Sequence, residues 1–189
     1  MQPAFASCSH VPLGVPCDSA VDVLPLAGFR SVPLHASLRI AYRVSGDSME
    51  IELKAGPFSF LARLEQDISP AACGWLMERL PAHWEFLQGR WSGHAVFARL
   101  NGTARHIGQG GISRPDAGQI LLCAGDDREG GELLIPYGPT RFACPSGELF
   151  GHHVLTVTTG QERLADLGTL IHERGSLSIS YRRCSTPWR

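Results

Sequence analysis

The chain has 189 residues, of which 43% are hydrophobic and 19% charged, with a formal net charge of -1. That length and balance describe one soluble globular domain that buries a core without staples, and the near-neutral charge excludes the basic field that nucleic acid or an anionic membrane surface requires. The six cysteines form no C-x-x-C pair and have no histidine at zinc-finger spacing, so they read as reduced thiols in a cytoplasmic protein.

Residues 1–35 are rich in Pro, Ser and Ala without a sustained period. Their first cation is Arg30, and Pro3, Pro12 and Pro16 interrupt the apolar residues, which fits neither a signal peptide nor a membrane span. We expect an arm there, packed on the barrel domain of residues 36–189 or across a homodimer. Val21, Leu24, Leu26 and Phe29 would otherwise lie in water. "LRIAYRV" (38–44) and "MEIELKA" (49–55) alternate around Gly46-Asp47, a hairpin signal. "FSFLARLEQ" (58–66) reads as a further strand. A helix over 69–80 follows, with Ser69 placed to cap it, Pro70 in its first turn and Pro81 ending it.

The remaining elements are short. Strands are expected over 85–91, 94–100, 119–124, 132–138 and 153–159, a helix over 161–175 stopped by Gly175, and a last strand over 176–183. About eight short, hairpin-linked strands with two helices predict a mainly antiparallel closed or partly closed barrel.

Four stretches carry a family resemblance: "FLARLEQDISPAACGWLMERLP", "RWSGHAVF", "ELLIPYGPTRFACPSGELFGHHV" and "ERLADLGTLIHERGSLSI". From about residue 51 to 183 the chain resembles a family of bacterial proteins of unknown function that adopt a cyclophilin-like barrel. The resemblance implies that fold. This sequence departs from the family pattern at His94, where a Glu follows Trp-Ser-Gly, and at His152-His153, where the family has Asn-His.

The chemistry-bearing residues gather near strand ends, which suggests a barrel-mouth pocket. Arg141 offers a fork for a substrate carboxylate, or else ties a loop to Glu132 or Glu148. Tyr137 orients a substrate or is a half-buried barrel aromatic. His94 and His153 are candidates for proton transfer, with Glu85 and Glu132 as available carboxylates. Trp91, Phe97 and Arg99 complete the expected binding surface. No metal spacing, nucleophile elbow or phosphate loop stands out, so no cofactor is expected. The partner is expected to be a small molecule with a carboxylate and an aromatic ring, not nucleic acid or membrane.

Two function classes follow. One is a cofactor-independent acid–base enzyme, by analogy with small bacterial Pictet–Spengler enzymes that form indole alkaloids. The other is a peptide- or metabolite-binding module, or a prolyl isomerase. Phe97, Arg99 and Gln109-Gly110-Gly111 loosely resemble the isomerase signature, with the Arg-to-Gln spacing longer by two residues.

Overall fold

Alternation decides the strands. In the computed structural model, which describes residues 49–100, 104–125 and 130–184, β1 (Glu50–Ala55) buries Ile51, Leu53 and Ala55 and turns Glu52 and Lys54 outward. β2 (Phe58–Leu64) repeats the pattern with Phe58, Phe60, Ala62 and Leu64 inside. Period two is what a sheet with one face on a core demands. The expected arm (1–35) and the strand at 38–44 lie outside the described residues.

Six further strands complete the wall: β3 (Ala82–Gln88), β4 (Gly93–Arg99), β5 (Gln119–Cys123), β6 (Glu132–Thr140), β9 (His152–Thr159) and β10 (Ser176–Arg183). Every pairing is antiparallel, and the order β1-β10-β3-β4-β6-β5-β9-β2 closes on itself. Closure removes free edges. β7 (Ala143–Cys144) and β8 (Gly147–Glu148) form a separate ribbon. Two residues per strand are too few for alternation to reveal them.

The helices stand close to their expected places. α1 (Pro70–Glu78) has Pro at its first turn and buries Trp75 and Leu76, but Ser69 makes no side-chain cap bond. α2 (Leu164–Arg174) follows a 3-10 turn at Gln161–Arg163. Leu164, Leu167 and Ile171, three and four residues apart, join the barrel core. Gly175 ends the helix at φ 83°, in the left-handed region that favours glycine.

The barrel interior is filled by Phe60, Phe86 and Tyr181 with aliphatic neighbours. A second apolar cluster of Ala95, Leu121, Cys123, Leu134 and Phe142 lies apart from it. On β4 and β6 its members alternate with the interior residues Val96, Ala98, Leu133 and Ile135, so it covers the outer face.

Candidate functional site

Register builds this outer face. Leu87 pairs with Phe97, Phe97 with Leu134, Leu134 with Leu121 and Leu121 with His153, giving one row across β3, β4, β6, β5 and β9. The neighbouring row sets Arg99 beside Glu132. Phe142 crosses above the first row, held by its N–H on the Ser113 carbonyl at 2.6 Å.

Beside that crossing is a cavity of about 440 Å³ on the outside of the barrel, within the usual size of a small-molecule site. Leu87, Phe97 and Leu134 form its apolar floor. Arg90, Trp91 and Ser92 of the β3–β4 turn make one wall, and Phe142 to Pro145 another. Arg99 and Glu132 line it together, and α2 adds Ile171 and His172. Trp91 is 67% exposed, so its ring has surface left to cover.

Ser92 holds two walls together. It is 4% exposed, and its Oγ accepts the Ala143 N–H and donates to the Ala143 carbonyl, each at 3.1 Å. Its own carbonyl accepts the Arg141 N–H at 3.0 Å.

Of the residues expected in the site, Trp91, Phe97, Arg99 and Glu132 line this cavity. His94, His153, Tyr137, Arg141 and Glu85 do not. The cavity is on the outer face rather than at the barrel mouth, because β4 and β6 turn Phe97, Arg99, Glu132 and Leu134 away from the core. Within the run from Glu132 to His153, Glu132, Leu134 and Phe142 to Pro145 line the cavity, whereas Tyr137, Arg141 and His153 do not.

Arg141 is spent on Glu148, with Nε–Oε1 at 3.2 Å and Nη2–Oε2 at 3.4 Å. With help from Ser113, that guanidinium holds the Glu148 carboxyl below its usual range. Glu85 is exposed on β3. His94 stacks on Tyr137 at 5.6 Å and 7°. Tyr137 packs against Gly168 of α2, where even a Cβ would lie 2.5 Å from its ring. Its hydroxyl accepts the Gln88 amide at 2.6 Å, the link between this pair and the cavity wall.

His153 belongs to another group on the outside of β2 and β9. Its Nε2 is 2.9 Å from Thr156 Oγ, which donates to Glu65 Oε1 at 2.5 Å. Arg63 donates to the same oxygen at 2.8 Å and 3.1 Å. Burial raises the Glu65 pKa, but the bonds from Thr156 and Arg63 outweigh it and keep the carboxyl ionised below its usual range. Burial holds the His153 imidazole below its usual value, against the pull of Glu65. With both partners committed, the group ties β2 to β9.

Sequence reasoning missed Ser92, Leu87 and His172 as parts of the site. Ser92 lay in the quoted Trp-Ser-Gly stretch, but its partner is 51 residues away. Gln109 is also outside the cavity, donating to the Gly125 carbonyl at 2.8 Å. Burial pushes the Cys73 thiol up to about 12, which makes it a poor nucleophile. Among the described residues, no three His, Cys, Asp or Glu side chains gather as a metal site, and no helix is long and apolar enough to cross a membrane.

An eight-stranded closed antiparallel barrel, with an arginine, a carboxylate and an exposed tryptophan around an outer-face cavity, defines the class, a cyclophilin-like barrel with a small-molecule-sized surface cavity. The chain belongs to the family described as "Protein of unknown function (DUF3830)", whose model matches residues 51–182. No curated protein matches it. Among solved structures it is similar to McbB in complex with tryptophan, with TM-score 0.54 and 16% identity over 74% of this chain. The match covers 46% of McbB, so this chain spans about half of that protein's length. It is also similar to a cyclophilin-type peptidyl-prolyl cis-trans isomerase of Cryptosporidium parvum, with TM-score 0.50 and 14% identity over 75% of this chain and 100% of that one.

Proposed function

We propose that the outer-face cavity is the active site of a cofactor-independent enzyme that condenses and cyclises an amino-acid-like amine with an aldehyde, a Pictet–Spengler-type reaction of natural-product biosynthesis. The observation that carries this is the position of Arg99 opposite Glu132 in the backbone register of β4 and β6, in one cavity with Trp91 and Phe97. McbB was solved with tryptophan, and such a ligand suits this surface. Its carboxylate meets Arg99 and its indole meets the aromatic side chains.

The chemistry uses the chain's own residues. The amine nitrogen bonds to the aldehyde carbon. Glu132, protonated, gives its proton to the carbinolamine oxygen, and water leaves to form an iminium. An indole carbon then bonds to the iminium carbon, and the Glu132 carboxylate takes the ring proton as aromaticity returns. The amine and aldehyde thus combine with loss of one water, and Glu132 ends protonated as it began.

The test incubates the full chain with tryptophan and a panel of aldehydes and follows products by chiral chromatography and mass spectrometry. One stereoisomer with the summed mass less water is expected, abolished in Glu132→Gln. Only the isomer mixture formed in buffer would overturn the proposal.

A second reading is prolyl isomerisation, favoured by Phe97 and Arg99 sharing the cavity. Bond rotation needs no proton acceptor. Under that reading Glu132→Gln keeps turnover on an Xaa-Pro peptide, whereas Arg99→Gln loses it.

A further inference from the structure

The arginines are not used alike. Arg63, Arg141, Arg163 and Arg182 each pair with a carboxylate. Arg90 and Arg99 line the cavity, and among the described residues neither guanidinium has a hydrogen-bond or ion-pair partner. The cavity therefore has two uncommitted cations against one carboxylate, Glu132.

The two arginines are also well separated. Arg90 lies in the turn before β4, and Arg99 is the last residue of that strand. Gln88 lies opposite Val96 and the Gly89 N–H bonds to the Ala95 carbonyl, which puts Arg90 near the level of His94, and the strand steps from there to Arg99, at ~3.3 Å each, separate the two by about 16 Å. The apolar floor of Leu87, Phe97 and Leu134 belongs to the same cavity.

We infer that the cavity takes two separate anionic groups, one on Arg99 and one on Arg90, with an apolar or aromatic body between them. This rests on the reading of the cavity as a condensation site, and it narrows the substrates: the aldehyde carries a carboxylate as well as the amine. Each partner brings one anion to one end, and the cyclised product is a dicarboxylate. The bonds made and broken are those given above, with water as the only leaving group.

The test uses rigid probes and calorimetry on the full chain at ~0.15 M salt, where long-range attraction between exposed charges is screened. Biphenyl-4,4′-dicarboxylate is compared with biphenyl-4-carboxylate. The dianion is expected to bind about tenfold more tightly, the effect of one further charge-assisted contact. Arg90→Gln, a change in an exposed turn, should bring the dianion down to the monoanion's affinity. Equal binding of the two probes, or a dianion unaffected by Arg90→Gln, overturns the inference. If Arg99→Gln fails to weaken even the monoanion, the reading of the cavity itself fails, which separates the two claims.

Discussion

Ser92→Ala tests the construction of the site. The change deletes both hydrogen bonds between Ser92 Oγ and Ala143, while the backbone bond from Arg141 to the Ser92 carbonyl survives. Each bond contributes roughly 0.5–1.5 kcal/mol net, so the pair is worth about 1–3 kcal/mol. Ala143 is half-buried, and water recovers part of the loss, which leaves about 1–2 kcal/mol. In a chain of this size that lowers Tm by roughly 2–8 °C. Because Ser92 is next to Trp91 and its partner is in the opposite wall, affinity for an aromatic carboxylate should fall too. Scanning calorimetry reads the first effect and ligand titration the second. A melting temperature and affinity both equal to wild type would refute the clasp.

Further outcomes follow from other groups. Tyr181 is fully buried and its hydroxyl has no partner among the described residues, so Tyr181→Phe should raise Tm; a fall would show that the hydroxyl is satisfied. His153 and Glu65 both have folded pKa values below their ordinary 6.5 and 4.5, so their contribution is full above those values and lost as pH falls through the folded ones. Thermal stability should fall on acidification below 6.5, and His153→Gln should remove that upper part of the loss; a variant with the wild-type pH profile counts against it. Arg141→Ala breaks an exposed, solvent-screened ion pair and should leave Tm close to wild type. A large drop in Tm by thermal melt would show a structural staple instead.

The strands and helices were legible because their signals are local. Ile51, Leu53 and Ala55 alternate, and Leu164, Leu167 and Ile171 recur at helical spacing. The eight-stranded antiparallel barrel followed from them. The site was legible only as residue types. Trp91, Phe97, Arg99 and Glu132 were singled out, but their meeting depends on β4 pairing with β6, and a pairing register between distant segments leaves no local mark. Proximity in sequence does not by itself say which partner a side chain takes, as Arg141 and His153 show. For Arg141 the sequence left a substrate carboxylate and a loop tie to Glu132 or Glu148 both open, and the tie to Glu148 in the β7–β8 ribbon is the one that forms. His153 shares the outer row with Leu121, but Thr156 and Glu65 engage it on the β2 side.

The central claim is that ligand binds in the outer-face cavity at Arg99, and not at Arg141. The direct measurement is calorimetric titration of indole-3-acetate, a probe with one aromatic ring system and one carboxylate, into wild type, Arg99→Gln and Arg141→Ala. Arg99→Gln is expected to weaken binding about tenfold or more, the loss of a charge-assisted contact, with Arg141→Ala binding as wild type. Binding lost in Arg141→Ala and kept in Arg99→Gln would contradict the account.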